Sequence, residues 1–178
     1  MGKIHLILGG TRSGKSEYAE ECILKLSQNP LYVATTPPHS SCQERIQHHQ
    51  QRRDKRWELM EETQHLSRLP LSGRTVLVDC ITLWVHNLLH QHGGKKKPSL
   101  DKFISEWNRI KNLPKDLFLV SNELSLGIHP SRLEDRIFVD LHGEINQMVS
   151  KEASSVTLMI AGLAWYLKGS KQTMFRAD

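Results

Sequence analysis

The sequence predicts a single α/β domain over residues 1–178, with a mostly parallel sheet of about five strands covered by helices on both faces. Short apolar runs rich in Val, Ile and Leu are typical of buried parallel strands, and they occupy residues 4–8, 31–34, 75–78, 117–120 and 156–160. Stretches with helical spacing occupy residues 16–26, 43–56, 83–90, 100–110 and 133–149. Their alternation favours this fold class, in which ligands bind at the carboxyl ends of the strands.

Composition favours a cytoplasmic globular protein. The chain is 38% hydrophobic, and no apolar run approaches the roughly 20 residues that span a bilayer. Three widely spaced cysteines do not suggest a disulfide framework or a Cys-x-x-Cys metal site. The N-terminus does not resemble a signal peptide.

The net charge of +5 favours anionic partners, either the phosphates of a small molecule or those of a nucleic acid. The densest basic run is Lys95, Lys96 and Lys97, within residues 91–99. Nearby glycines, a proline and a serine predict that this segment is an exposed, flexible loop. We therefore expect no nucleic-acid partner.

A phosphate-binding motif lies between the first predicted strand and the first predicted helix. It matches G-x-x-x-x-G-K-[ST] in full and consists of Gly9, Gly10, Thr11, Arg12, Ser13, Gly14, Lys15 and Ser16. The glycines allow main-chain N–H groups to point at phosphates, and the helix N-terminus adds favourable dipole charge. Lys15 is expected to neutralise the β and γ phosphates and Ser16 to bind Mg²⁺. The motif narrows the fold class to a P-loop NTPase-like, RecA-like sheet.

Asp79 is the second candidate metal residue. It follows four strand-type residues, so its carboxylate is expected at the carboxyl end of a strand beside the phosphate-binding loop. A carboxylate at this position orients Mg²⁺ in nucleotide-binding enzymes of this type. The alternative is that Asp79 caps the helix beginning near Ile81.

A second basic cluster surrounds a histidine. If residues 43–56 are helical, Arg45, His49 and Arg53 share one face and Arg52 lies close by. Guanidinium groups bind polyphosphate and keep the imidazole neutral, so His49 can act as a nucleophile towards phosphorus. His48 lies about 100° round the helix and is a weaker candidate. The alternative is a polar surface helix.

Several motifs together resemble those of the bifunctional adenosylcobinamide kinase and adenosylcobinamide-phosphate guanylyltransferase family of cobalamin biosynthesis. The resemblance covers nearly the whole chain. Besides the phosphate-binding loop, it rests on Tyr-Val-Ala-Thr at 32–35, Arg-Ile-Gln-His-His at 45–49, Val-Asp-Cys-Ile-Thr-Leu-Trp at 78–84, Asn-Leu-Leu at 87–89, Val-Ser-Asn-Glu at 120–123, and a Phe-x-Asp-x-x-Gly-x-x-Asn-Gln pattern ending at Gln147.

The resemblance implies two activities. One phosphorylates adenosylcobinamide with a nucleoside triphosphate, ATP or GTP. The other transfers GMP from GTP to adenosylcobinamide phosphate through a guanylyl-histidine, which maps onto His49 and gives adenosylcobinamide-GDP. It also implies a cytoplasmic homotrimer, with nucleotide contacts from the loop and from Ala34, Thr35, Thr36, Gln50, Gln51, Arg52, Arg53 and Glu61.

Departures from the family pattern follow Glu123. Ser125 stands where the family has glycine, so the turn will be strained or rebuilt if this position needs a positive φ. His129 is also unexpected there. Asn122, Glu123, Asp140 and Asn146 are interpreted equally well as substrate contacts and as capping or packing residues. The alternative functions are a P-loop small-molecule kinase without guanylyl transfer and a GTP-binding regulatory protein, although the chain lacks an Asn-Lys-x-Asp motif.

Overall fold

The structure is a computed structural model that describes residues 2–37 and 54–170. The strands are β1 (Lys3–Gly9), β2 (Leu31–Ala34), β3 (Glu58–Glu61), β4 (Thr75–Asp79), β5 (Asp116–Asn122), β6 (Ser155–Ile160) and β7 (Leu163–Lys168). The helices are α1 (Lys15–Leu26), α2 (Ile81–Gln91), α3 (Lys96–Ile110) and α4 (Leu133–Glu152), with a 3₁₀ turn at Leu66–Arg68.

Within the described residues, the strands form one seven-stranded sheet in the order β3-β2-β4-β5-β1-β6-β7. Neighbouring strands are parallel, except that β7 is antiparallel to β6. β1 lies between β5 and β6, with Gly9 opposite both Asn122 and Met159. The five predicted strands are confirmed, and β3 and β7 are additional.

Both faces of the sheet are covered, as predicted. On one face, Ile23 of α1 packs with Ile7 of β1. On the other face, Leu6 of β1 packs in a larger cluster that includes Trp84 of α2 and Phe103 of α3. Adjacent residues of β1 therefore enter opposite cores, because side chains alternate across a strand. The predicted α/β fold with a mostly parallel sheet is confirmed.

The predicted loop over residues 91–99 is too long, because only residues 92–95 lie between α2 and α3. Gly93 and Gly94 have φ of 61° and 76° and end α2, but α3 already begins at Lys96. Pro98 does not prevent this, because a helix tolerates proline in its first turn, where N–H groups lack helical partners. Lys96 and Lys97 are therefore helical, and Lys96 pairs with Glu144 of α4.

The predicted helix over residues 43–56 lies mostly outside the described residues. Its last part is wrong, because residues 54–56 form a turn in which Arg56 donates to the Asp54 carboxylate. Along the described chain, no helix has the length and apolar character needed to cross a membrane.

Candidate nucleotide site

The phosphate-binding loop joins the carboxyl end of β1 to the N-terminus of α1. Arg12 and Gly14 have φ of 57° and 92°, so the backbone curls between the strand and the helix. Lys15 is buried, and its Nζ donates to the Gly10 carbonyl at 2.6 Å. That hydrogen bond holds the ammonium group over the loop, where a triphosphate would lie.

The β6–β7 hairpin supports the loop from one side. The Gly162 N–H donates to the Ser13 carbonyl at 3.1 Å. Gly9 has φ of 152°, and a Cβ on it would lie 2.5 Å from the Met159 carbonyl and 2.6 Å from Ser13 Oγ. The loop can approach β6 this closely only because residue 9 is glycine.

Gly9→Ala should destabilise the protein by at least about 2 kcal/mol, since a backbone carbonyl of the central sheet cannot move aside. Gly10→Ala is the matched control, because a Cβ there meets no atom within 4 Å and its φ is not positive. Its free energy of unfolding should stay within about 1 kcal/mol of wild type. Urea unfolding measures both, and equal effects of the two substitutions would contradict the close approach.

Asp79 lies at the carboxyl end of β4 and accepts a hydrogen bond from Tyr32. Tyr32 is buried on β2, and its Oη lies 2.5 Å from Asp79 Oδ2. The capping alternative is not supported, because the N-cap residue of α2 is Cys80 and no side chain caps that helix. The tyrosine therefore fixes the direction of the carboxylate, which stays half-buried at the sheet edge.

Cys80 does not add a nucleophile to this edge. Burial and then the negative charge of Asp79 raise the pKa of its thiol to about 11. The thiol is therefore protonated at neutral pH, and a thiol is a much weaker nucleophile than a thiolate.

The carboxyl ends of β2 and β4 are joined through Thr35. Its N–H donates to the Asp79 carbonyl, and its Oγ1 both accepts from Cys80 N and donates to Cys80 O. Its own carbonyl accepts from the Asn87 amide. Thr35 is fully buried, so its polar groups already serve the packing of these strand ends.

Ala34, Thr36 and Glu61 lie at the same edge of the sheet. Ala34 ends β2 and is opposite Glu61, which ends β3, and Thr36 is half-buried just beyond β2. The structure thus brings these three residues to the loop side of the sheet. His49, Gln50, Gln51, Arg52 and Arg53 lie outside the described residues, as do Arg45 and His48.

The sequence model of the family described as "Cobinamide kinase / cobinamide phosphate guanyltransferase" matches residues 5–167. The chain belongs to this family. Three curated relatives support this family assignment. The Bifunctional adenosylcobalamin biosynthesis protein CobU of Escherichia coli strain K12 is 35% identical over 92% of this chain and 98% of its own. The CobP protein of Pseudomonas aeruginosa is 36% identical over 92% and 96%, and the CobU protein of Salmonella typhimurium is 33% identical over 92% and 98%.

In this member of the cobinamide kinase family, Ser125 stands where the family pattern has glycine, and it does not strain the backbone. Ser125 is not among the described non-glycine residues with positive φ, which are Arg12 and Ala161. Instead, its N–H and its hydroxyl both donate to the Glu123 carboxylate. The turn therefore accommodates a side chain, and serine gives it an additional hydrogen bond.

The sequence did not reveal a buried polar cluster behind the end of β5. It contains Thr82, Ser121, His142 and Asn146. Asn146, whose sequence context fits a substrate contact and a packing residue equally well, is buried and hydrogen-bonded inside the fold. Asp140 is exposed on α4. Two features of the sequence could have indicated this cluster. A polar Ser-Asn-Glu run directly follows an apolar strand, and two polar residues lie four apart on a later helix.

Proposed function

We propose that this protein catalyses the two phosphorus transfers after which its family is described. In the first, a nucleoside triphosphate phosphorylates the alcohol of adenosylcobinamide. In the second, GTP gives GMP to adenosylcobinamide phosphate, forming adenosylcobinamide-GDP. The observation that carries the proposal is that the family match spans residues 5–167 and includes a complete phosphate-binding loop between β1 and α1. ATP and GTP are the proposed substrates.

In the kinase step, Lys15 is the proposed catalytic cation. Its ammonium lies over the loop at the N-terminus of α1, where main-chain N–H groups also favour negative charge. Charge on the transferring phosphoryl group is therefore met by groups already in place, and such preorganisation accounts for most of the catalysis in phosphoryl transfer.

Ser16 and Asp79 are the proposed Mg²⁺ residues. Their hydroxyl and carboxylate oxygens are the donors that Mg²⁺ prefers. β4 and β1 are separated by β5, so the two backbones are about 10 Å apart, which is twice the spacing of neighbouring strands. Ser16 lies in the first turn of α1 and Asp79 at the end of β4, so both would hold Mg²⁺ from the carboxyl edge of the sheet. Bound there, Mg²⁺ would supply positive charge that offsets the negative charge of the phosphates.

Tyr32→Phe should raise the Mg²⁺ concentration needed for half-maximal kinase activity by about tenfold, because the Asp79 carboxylate loses the donor that orients it. The cost in folding free energy should be on the order of 1 kcal/mol. Tyr18→Phe is the control, since its hydroxyl bonds Tyr166 of β7, which is separated from β2 and β4 by at least three strands of the sheet. Identical Mg²⁺ titrations of the two variants would contradict the role given to Tyr32.

In the guanylyl step, the proposed nucleophile is a ring nitrogen of neutral His49. It attacks the α-phosphorus of GTP, an N–P bond forms, and pyrophosphate leaves as the α–β phosphoanhydride bond breaks. A phosphate oxygen of adenosylcobinamide phosphate then attacks the same phosphorus and the N–P bond breaks. The covalent intermediate divides one difficult displacement into two easier ones. The further proposed nucleotide contacts are Ala34, Thr36, Gln50, Gln51, Arg52, Arg53 and Glu61. Thr35, which is fully buried, is proposed to support them by joining the ends of β2 and β4.

A cytoplasmic homotrimer, each subunit one domain over residues 1–178, completes the proposal. An apolar stripe on β7 supports assembly, because Leu163, Trp165 and Leu167 alternate along the strand and are 75%, 62% and 51% exposed. Contiguous exposed apolar surface of this kind marks subunit contacts in many proteins. Sedimentation equilibrium measures the subunit number.

Product analysis tests the proposed function. Purified protein with Mg²⁺, GTP and adenosylcobinamide should yield adenosylcobinamide phosphate and then adenosylcobinamide-GDP. Phosphorylation without the second product would favour the plain small-molecule kinase. GTP binding with no turnover, whether or not the corrinoid is present, would favour a regulatory GTP-binding protein.

A further inference from the structure

The buried polar cluster behind β5 joins three elements of the fold. Ser121 ends the buried part of β5, Thr82 lies in the first turn of α2, and His142 and Asn146 lie one turn apart on α4. His142 Nε2 is 3.1 Å from Ser121 Oγ and 3.2 Å from Thr82 Oγ1. All four side chains are buried, so each unmet hydrogen bond among them would be costly.

The hydrogen bonds determine which imidazole nitrogen carries the proton. The Asn122 carbonyl can only accept, so the atom of Asn146 that faces it at 3.1 Å is the amide nitrogen. Asn146 Oδ1 therefore faces Ser121 and takes its hydroxyl proton at 2.8 Å. Since that proton is used, Ser121 Oγ accepts from His142 Nε2. The imidazole is the Nε2–H tautomer, with Nδ1 turned towards Asn146 Nδ2 at 3.5 Å.

The imidazole is neutral under ordinary conditions. Burial lowers the pKa of His142 to about 4, and the negative charge of Glu123 opposes this only in part. Neutral His142 supplies one donor and one acceptor, which is what the hydroxyl of Ser121 and the amide of Asn146 require.

The cluster holds both main-chain polar groups of Asn122. The Asn122 N–H donates to Thr82 Oγ1 at 2.8 Å, and the Asn122 carbonyl accepts from Asn146. The next residue, Glu123, donates its N–H to the carbonyl of Gly9, the first residue of the phosphate-binding loop, at 3.0 Å. The position of Asn122 and Glu123 beside the loop is thus determined by side chains that do not themselves form the loop.

We propose that His142 is a positioning residue that holds Asn122 and Glu123 at the phosphate-binding loop, where their amide and carboxylate bind the alcohol that accepts the phosphoryl group. The inference rests on the proposed kinase activity. An amide and a carboxylate, both half-buried at the carboxyl end of the strand next to β1, suit a hydroxyl, which needs both an acceptor and a donor. Ser125 donates only to Oε1 of the Glu123 carboxylate, so Oε2 is the proposed acceptor. His142 acts through Ser121 and Asn146 and touches neither substrate.

His142→Ala tests the proposal, with His142→Gln as the conservative variant and His90→Ala, an exposed histidine on α2, as the control. His142→Ala should lower kcat/KM for adenosylcobinamide about 10- to 100-fold, because small displacements of substrate-positioning groups are costly. The dissociation constant for GTP should stay within about twofold of wild type. His142→Gln should recover most of the activity, since its Nε2–H can replace the imidazole donor to Ser121.

Several results would overturn the positioning role. One is an equal loss of GTP affinity and acceptor turnover in His142→Ala. Another is a His142→Gln variant as impaired as His142→Ala, and the third is unchanged kinetics in both variants. If wild type does not phosphorylate the corrinoid, the proposed function fails and hydrogen exchange decides the positioning role. The Glu123 amide should then exchange faster in His142→Ala than in His90→Ala, and equal exchange would overturn it.

Discussion

Lys15→Met should lower the rate of phosphoryl transfer by about 10²- to 10³-fold, the usual effect of removing one preorganised group that stabilises charge in a transition state. Methionine keeps the buried unbranched chain of Lys15 but removes the ammonium that lies over Gly10. Guanylyl transfer should fall as well, because the same loop is proposed to hold the triphosphate of GTP. Single-turnover assays with γ-labelled and α-labelled nucleotide measure the two losses separately.

Lys25→Met is the matched control for this prediction. Lys25 lies in the last turn of the same helix and is exposed, so its removal changes the net charge equally without reaching the loop. Its activity should remain within about twofold of wild type. A loss of less than about tenfold in Lys15→Met would show that the ammonium does not stabilise the transferring group.

His49→Ala should abolish covalent labelling of the protein by α-labelled GTP. In wild type, the label should survive denaturation, be lost in acid and persist in base, as expected for a phosphorus–nitrogen bond to histidine. Phosphorylation of adenosylcobinamide should remain within about twofold of wild type, because the kinase step transfers the γ-phosphoryl group directly to the acceptor.

His48→Ala is the control, since the two histidines are adjacent but point about 100° apart if this stretch is helical. It should keep the label. Labelling that persists in His49→Ala and disappears in His48→Ala would transfer the nucleophile to the neighbouring residue. Persistence in both variants would remove this stretch from the guanylyl step.

Strands and loops that depend on short stretches of sequence can be predicted from the sequence alone. The five apolar runs became strands, and the glycines and lysine of the loop lie where the motif requires them. β3 was missed because Glu58, Leu59 and Glu61 are exposed, and its Glu-Leu-Met-Glu sequence lacks the β-branched residues of buried strands. The start of α3 was missed because glycines and Pro98 suggest a loop although proline is tolerated in a first helical turn.

Contacts between distant parts of the chain could not be predicted in the same way. Tyr32 and Asp79 are 47 residues apart, and Thr82 and His142 are 60 apart. Each pair meets only because of the order in which the strands and helices pack. A polar residue in an apolar segment shows that a partner is needed, but not which partner. The position of Asp79 at the end of β4 could thus be predicted, whereas its orienting tyrosine and the His142 cluster required the fold.

The central place of β1 constrains how the chain can fold during synthesis. Its two neighbours in the sheet are β5 and β6, and the loop that follows it receives a hydrogen bond from Gly162. β1 therefore meets neither neighbour until β5, which begins at Asp116, has been synthesised. Such long-range pairing slows folding and leaves apolar segments of the nascent chain exposed. The phosphate-binding loop likewise gains its hydrogen bond from Gly162 only after the β6–β7 hairpin has been synthesised.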